Sequence, residues 1–333
     1  MNCPFCGKQA NKKNTHYLTD FIIRKSFNPI GNNEREKGLF FNFSNDTGEI
    51  EFGIQRSTSI EEIEGVFKRE LTDEEIKDFG GLKYSVDNAW CKECEDIFSE
   101  IENDFHDKVL PKFRDVGVFE INEVEIKDVR IVRMFIYIQI LRSAICGKIA
   151  LQLETINELR SFLHNYKTMP INVLTKYPVI FTYLETKENP TLNAVGYTND
   201  RCPFIILMSD FVIQFYENQM KIPLLDFYGL NNVQADKRFV NVNESIFKVK
   251  IISDIKRKDF QLKVAVWPKF HKMKDMILEA LNSTWRSKYG KKPVEPKTIQ
   301  AFLEFILIRT KGNLFLIKAN NLKMYAEHFL SNY

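Results

Sequence analysis

Two Cys-x-x-Cys pairs constrain the fold of this 333-residue chain more than any other feature of its sequence. The first pair is Cys3 and Cys6, within Cys-Pro-Phe-Cys-Gly, and the second is Cys91 and Cys94, within Cys-Lys-Glu-Cys. Four thiolates are the ligand set that closes a tetrahedral structural zinc site. The sequence therefore predicts one zinc ion held by both pairs.

The residues beside the two pairs indicate what each contributes. Pro4 and Gly7 favour a tight zinc knuckle, because proline stiffens the turn and glycine lets backbone amides point towards the sulfurs. The second pair opens a helical pattern whose apolar side consists of Trp90, Phe98, Ile101 and Phe105. A knuckle and a helix start that share one zinc ion form a treble clef. Two alternatives stay open: unrelated pairs of reduced cysteines, and disulfides, although nothing else indicates an oxidising compartment.

Length and composition indicate a globular protein of about two domains. The chain is 44% hydrophobic and 27% charged, which suits a packed core. Its longest apolar stretch, Met134 to Leu141, is too short to span a bilayer. No apolar leader precedes the first cysteine pair, so we expect a cytoplasmic protein without a membrane partner. Cys146 and Cys202 have apolar sequence neighbours and are expected to be buried thiols.

The order of the predicted elements indicates an α+β fold. Residues 1–110 form the predicted treble-clef zinc module, which includes an inserted hairpin and helices between the cysteine pairs. Residues 111–333 form a larger predicted domain of helices and an antiparallel sheet. Its predicted helices are 129–150, 155–166, 269–284, 296–310 and 320–331, and its predicted strands are 179–184, 203–208, 211–216, 239–252 and 260–267.

Basic residues are concentrated near the two ends of the chain. Residues 1–30 contain Lys8, Lys12, Lys13, Arg24 and Lys25 against Asp20 alone. Residues 250–333 contain 17 Lys or Arg against 7 Asp or Glu. Basic surfaces of this kind bind the phosphates of nucleic acids. The alternative is that these lysines simply belong to solvated faces.

His16 is the most informative histidine. It follows Cys6 by ten residues, on the segment that would form the hairpin of a zinc-anchored finger, and the helix from Cys91 would bring it near Glu95. A solvent-accessible histidine beside carboxylates on a rigid frame suits activation of water near a divalent metal.

These motifs resemble the four-cysteine branch of the HNH-type nucleases, over residues 1–110. The resemblance lies in Cys-Pro-x-Cys-Gly, then His-x-x-x-x-Phe-Ile-x-Arg, then Cys-x-x-Cys-Glu. It implies structural zinc on the four cysteines, His16 as general base, and a catalytic Mg²⁺ or Mn²⁺ with Glu95 as a candidate ligand. It also implies a nucleic-acid substrate, expected to be DNA, contacted by Lys12, Lys13, Arg24 and Lys25. By the same analogy, the protein could act in defence against phage under the control of a regulatory protein partner.

The sequence also departs from the family pattern. Thr15 precedes the histidine, where relatives have a metal ligand, and Thr19 stands in place of a proline. Glu95 stands where many relatives have asparagine, and it is equally explained as a carboxylate favoured at a helix N-terminus. A second alignment would put Phe21 in place of the histidine and leave the protein inactive. The alternative function is therefore a catalytically degenerate zinc module that binds nucleic acid or protein.

Overall fold

The protein consists of two compact units, Met1–Ala265 and Val266–Tyr333. The computed structural model describes residues 2–12, 15–27, 40–42, 51–53, 64, 70, 85–86, 89–114, 121–186, 194–198, 202–218, 227–232, 234–263, 267–310 and 319–332. The domain boundary predicted at residue 110 falls within the first unit and stays a prediction. The helices predicted between the cysteine pairs, at residues 59–69 and 72–81, lie almost wholly outside the described residues.

Helices and strands are both abundant, which confirms the mixed α+β class. The helices are α1 (Asp20–Phe27), α2 (Lys92–Lys108), α3 (Pro111–Arg114), α4 (Val129–Ile145), α5 (Leu153–His164), α6 (Ile171–Leu174), α7 (Asp254–Gln261), α8 (Trp267–Tyr289), α9 (Pro296–Arg309) and α10 (Ala319–Asn332). The strands are β1 (Thr15–His16), β2 (Phe40–Asn42), β3 (Glu51–Gly53), β4 (Ser85–Val86), β5 (Glu123–Ile126), β6 (Val179–Leu184), β7 (Ala194–Tyr197), β8 (Phe204–Met208), β9 (Phe211–Phe215) and β10 (Phe247–Ile252). Among the described helices, none is long and apolar enough to cross a membrane.

The large sheet of the first unit has the strand order β3-β2-β7-β8-β9-β6-β10-β5. The prediction of a wholly antiparallel sheet is wrong, because β10 runs parallel to β6 and β2 runs parallel to β7. Val249 lies opposite Phe181 in the first of these parallel pairs. Parallel neighbours need a long connection, and the 62 residues between Leu184 and Phe247 supply one. The remaining pairings in this sheet are antiparallel.

The centre of the first unit is largely apolar, with a few buried polar side chains on α4 and the central strands. Every residue of β6, β8 and β9 is buried, as expected for continuous hydrophobic strands covered on both faces. Helix α4 is buried around most of its circumference, and Phe135 on α4 stacks on Phe105 of α2 with ring centroids 3.8 Å apart. Phe105 also contacts Phe181 of β6 edge-on at 6.2 Å. The second cysteine pair therefore belongs to a helix that is packed into the main core.

One predicted strand is shorter than expected, and another begins inside a helix. The predicted strand 239–252 is a strand only over β10, because Asp236–Phe239 form a 3₁₀ turn and Asn241 makes a single bridge to Val179. The predicted strand 260–267 starts inside α7. In that helix Arg257, Phe260 and Gln261 are buried, and they are three or four residues apart. This helical spacing of the buried positions decides the conformation, although several apolar residues of the segment favour strands.

The second unit is built from α8, α9 and α10, close to the three helices predicted there. Pro296 occupies the first turn of α9, where its missing N–H has no intrahelical partner to lose. The core of this unit is apolar and consists of Met273, Ile277, Leu281, Phe302, Ile306, Leu322, Ala326, Phe329 and Leu330. The unit therefore has a hydrophobic core of its own.

Candidate metal centre

The four cysteines of the two pairs meet in one cluster. The sulfurs of Cys3, Cys6, Cys91 and Cys94 all lie within 4.8 Å of one another. Cys3 Sγ is 3.7 Å from Cys94 Sγ, Cys6 Sγ is 3.5 Å from Cys91 Sγ, and Cys91 Sγ is 3.3 Å from Cys94 Sγ. None of these separations is a disulfide bond, and all six cysteines are free. The prediction that the pairs form one site, and not two, is confirmed.

The spacing of the sulfurs suits a zinc ion. Four sulfurs placed about 2.3 Å from a central zinc at tetrahedral angles are separated by about 3.8 Å from one another. The observed distances of 3.3–3.7 Å are close to that value. The cluster is also shielded from solvent, with Cys3 and Cys94 each no more than 2% exposed. The donor set and the geometry therefore fit one tetrahedral zinc ion.

The close packing of the four thiols sets their electrostatics. Burial alone would raise the pKa of the Cys3 thiol, but backbone N–H groups of Cys91, Cys6 and Phe5 lower it to about 7. Burial and the neighbouring sulfurs raise the pKa of Cys94 far above its ordinary value. Thiols this close together cannot all ionise unless a cation compensates their charge. A divalent metal supplies that charge.

The local sequence explains how the cysteines are positioned. In the first pair Gly7 has φ +80°, a left-handed conformation that favours glycine, and its N–H donates to Cys3 O at 2.8 Å. Asn2 and Gln9 close the turn as an antiparallel bridge. The second pair lies at the N-cap and in the first turn of α2, so its two sulfurs project from the start of a helix.

Trp90 joins the first pair to the helix. Its side chain is fully buried, and its ring contacts Phe98 of α2 at 5.4 Å. The N–H groups of Asn11 and Lys12 donate to Trp90 O at 3.2 and 3.1 Å. On the other side of the knuckle, Phe5 stacks on His164 of α5 at 4.0 Å. The cysteine cluster is therefore held by packing as well as by its own ligands.

His16 lies on β1, which pairs antiparallel with β4. Thr15 is opposite Val86, and His16 is opposite Ser85. The His16 side chain is 37% exposed, and its Nε2 lies 3.8 Å from Asp20 Oδ1, at the start of α1. His16 therefore lies on a short, partly exposed strand whose partner comes much later in the chain, and Asp20 is the carboxylate beside it. Its predicted place on a zinc-anchored hairpin stays a prediction.

Glu95 lies at the start of α2 and is paired with Arg142, and its predicted role as a ligand of a catalytic metal stays a prediction. It accepts a hydrogen bond from Arg142 Nη2 at 3.2 Å. Burial raises the pKa of Glu95, whereas the charges of Arg142 and Lys12 act in the opposite direction. One carboxylate oxygen, Oε2, is buried and has no hydrogen-bond partner among the described residues. Glu95 is thus engaged in an ion pair with a helix of the main core.

Arg142 is the centre of a buried polar network that sequence reasoning missed. Its side chain is 2% exposed, and Nη1 donates to Glu102 Oε1 at 2.7 Å. Thr19 Oγ1 donates to the same Glu102 oxygen at 2.6 Å, and its N–H donates to Gln139 Oε1 at 3.2 Å. Gln139 also donates to Thr19 Oγ1. The network ties the chain just after His16 to α2 and to α4.

A sequence signal for this network did exist. Gln139 and Arg142 are polar residues in an otherwise apolar helix, and a buried polar group requires partners. Glu95 and Glu102 are seven residues apart on α2, so they lie on the same face. What the sequence does not reveal is which of the many acidic residues would meet Arg142.

The four predicted nucleic-acid contacts are only partly described. Lys12 is exposed beside the cysteine cluster. Lys13 lies outside the described residues. Arg24 and Lys25 lie on α1, where only their backbone is described. Their predicted contact with phosphates stays a prediction.

The other cysteines take no part in the cluster. Cys146 and Cys202 are half-buried, and burial raises the pKa of both thiols. The prediction of buried thiols is therefore met only in part.

Comparisons with known proteins give no further identification. No protein-family model, no curated protein and no solved structure matches this chain.

Proposed function

We propose that the region from Cys3 to Lys108 is a treble clef built around one structural zinc ion. Three parts support this: the knuckle of Cys3 and Cys6, the antiparallel pair β1–β4, and α2 beginning directly after Cys91. In the chain the knuckle comes first, then β1 and later β4, and then α2. Four thiolates leave no open coordination position, so this zinc holds the structure and does not bind a substrate.

We further propose that this frame serves an HNH-type nuclease, with His16 as the general base. The supporting observation is the placement of His16 on β1, partly exposed, with the Asp20 carboxylate 3.8 Å from Nε2. In hydrolysis of a phosphodiester, His16 accepts a proton from the attacking water. The nearby carboxylate favours the imidazolium that forms, because opposite charges attract at this distance.

The proposal assigns no ligand set to Mg²⁺ or Mn²⁺. Such an ion, when bound, neutralises charge on the phosphate. In the part of the chain that the structure describes, the four cysteines are the one group of three or more ligands close enough for a single ion. His16 and Asp20 alone do not make a cation site. The divalent metal therefore stays a prediction, tested by the dependence of cleavage on added metal.

Glu95 has a positioning role in this proposal. Its ion pair with Arg142 fixes the first turn of α2 against α4, one residue after Cys94. The role predicted for it, as a ligand of the catalytic metal, would require a carboxylate directed to His16, and no observed contact supports that.

A plasmid-cleavage assay with Mg²⁺ or Mn²⁺ tests the nuclease. We expect the wild type to cleave, and His16→Ala to lose about a hundredfold or more in rate, as is usual when a general base is removed. His328→Ala, in the second unit, is the matched control and should cleave normally. Zinc content should be the same in all three proteins, because His16 is not a cysteine-cluster ligand. Normal cleavage by His16→Ala would refute this mechanism.

The second candidate function is a zinc module that binds nucleic acid or protein without catalysis. The observation that favours it is the ion pair of Glu95, which engages one oxygen of the carboxylate predicted for catalysis with Arg142. Binding of nucleic acid by a wild type that does not cleave it with either metal would select this candidate. Defence against phage and a regulatory partner stay predictions from the resemblance.

A further inference from the structure

The turn between α8 and α9 is a concentrated basic surface. The segment from Arg286 to Lys297 contains five basic residues and one acidic residue, Glu295. Its cations are Arg286, Lys288, Lys291, Lys292 and Lys297, and we call them the α8–α9 basic patch. All five are exposed. The patch lies wholly within the second unit.

The helix dipole explains only part of this patch. Arg286 and Lys288 lie in the last turn of α8, where cations are favoured. Lys291 and Lys292 come after the helix has ended at Tyr289, and Lys297 lies in the first turn of α9, where a cation is disfavoured. These three lysines therefore have no helix-stabilising role that would account for them.

The patch is also not neutralised by carboxylates. In the described portion of the chain, no ion pair forms between any of the five cations and an acidic group. Elsewhere lysines are paired, as in Lys176 with Glu158 and Lys263 with Asp259. Lys288 Nζ donates to the backbone oxygen of Leu330, which carries no net charge. Like charges gathered without carboxylate partners repel one another, so the patch is suited to an external polyanion.

Hydrogen bonds within the turn fix the backbone that carries the basic patch. Gly290 has φ +76°, and its N–H donates to Arg286 O at 3.0 Å, which ends α8 in the usual left-handed cap. Trp285 Nε1 donates to Lys292 O at 3.0 Å, so the indole holds the turn against the helix. The cations are therefore presented from a defined backbone, which lowers the entropy lost on binding.

Tyr289 adds an aromatic surface within the basic patch. It is 40% exposed, its ring lies 4.4 Å from that of Trp285, and Lys288 Nζ lies 5.3 Å from its centroid. An exposed ring among cations provides a stacking platform for an unpaired base. An anionic membrane would instead require an apolar face for insertion, and in the described part of this segment Tyr289 is the one exposed large hydrophobic residue.

We infer that the α8–α9 basic patch binds single-stranded nucleic acid, with the lysines on phosphates and Tyr289 stacked on a base. This inference deepens the proposed function, because it rests on nucleic acid being the partner. It assigns that contact to the second unit, in addition to the residues near His16.

Fluorescence anisotropy of the full chain with a labelled single-stranded oligothymidine, without added Mg²⁺ or Mn²⁺, tests the inference. We expect the double variant Lys291→Glu with Lys292→Glu to weaken binding by about tenfold or more, and to lower the salt slope of log K by about 1.4 for two lost phosphate contacts. Tyr289→Ala should weaken single-strand binding by about fivefold or more while leaving duplex binding unchanged.

The control is Lys237→Glu with Lys274→Glu, which makes the same charge change at two exposed lysines outside the patch. It should bind like the wild type. Wild-type affinity in the patch variant, or an equal loss in the control, would overturn the inference. So would binding to anionic phospholipid vesicles without binding to the oligonucleotide. His16→Ala should still bind the oligonucleotide, so a loss of cleavage with intact binding distinguishes failure of the nuclease from failure of the patch.

Discussion

The four-cysteine region and the C-terminal helical unit are organised by different interactions. The first brings together residues that are far apart in the chain, such as Cys3 with Cys94 and Thr19 with Gln139. Beside the aromatic packing of Phe5 and Trp90, its contacts include sulfurs, a buried guanidinium and two carboxylates. The second unit has a core of aliphatic and aromatic side chains from three consecutive helices. We therefore expect the stability of the four-cysteine region to depend on bound metal and on charge pairing, and the stability of the C-terminal unit to depend on apolar packing.

The difference follows from how much apolar surface each region can bury. The C-terminal unit has apolar residues at helical spacing, so it forms its core by local pairing of helices. The knuckle and the short strands β1 and β4 are too small to bury much apolar surface themselves. Small zinc-binding elements usually obtain their folding energy from the metal. Here the buried network around Arg142 adds a second attachment to the main core.

The largest expected effect is loss of the metal in Cys94→Ser. Structural zinc in small zinc-binding peptides contributes about 10–16 kcal/mol of apparent binding energy, so removing one of four ligands should abolish stoichiometric zinc. Elemental analysis should find about one zinc per wild-type chain and almost none in the variant. Hydrogen exchange should accelerate in residues 2–12 and at the start of α2 but not in α8–α10. Cys146→Ser is the matched control and should retain zinc; equal zinc in Cys94→Ser would contradict the site.

A large effect is also expected for Arg142→Met. It leaves Glu95 and Glu102 buried without their cation, which typically destabilises a protein by about 3–5 kcal/mol. Chemical denaturation with peptide-level hydrogen exchange should locate the loss in α2 and α4. The control is Lys8→Met, which removes an ion pair with Glu93 whose side chains are 64% and 66% exposed. That change should have little effect on stability, because exposed ion pairs contribute little. Similar effects from both variants would show that burial of the network contributes nothing.

The smallest of the three expected effects is that of Leu281→Ala in the second unit. Leu281 is fully buried, and such truncations cost about 2–5 kcal/mol. The loss should appear as faster hydrogen exchange in α8–α10, with zinc content unchanged. Leu307→Ala, at a position that is 41% exposed, should change stability by about 0.5 kcal/mol or less. Release of zinc by Leu281→Ala would break the contrast between the two regions.

The strongest sequence signals were those with a local period or a fixed spacing. The strand Val179–Leu184 coincides with its prediction, since a short run of mostly apolar residues that starts after Pro178 and ends at Glu185 is typical of a covered strand. The C-terminal helices also lie close to their predicted positions. Strand β5 and helix α7 were missed, because Glu123–Ile126 is short and partly exposed and α7 is rich in charged residues. In both segments, tertiary pairing outweighs local preference.

By itself the sequence identified the four candidate metal ligands, because two Cys-x-x-Cys pairs are the usual spacing of a shared metal site. It also determined the apolar segments of the core, through periodicity. Only the tertiary structure decided that Arg142, 47 residues from Glu95 and 40 from Glu102, binds both of them. Only the tertiary structure made β6 and β10 parallel. The physical reason is that charge pairing and strand pairing depend on which segments meet in space, and the chain contains many equivalent candidates for each.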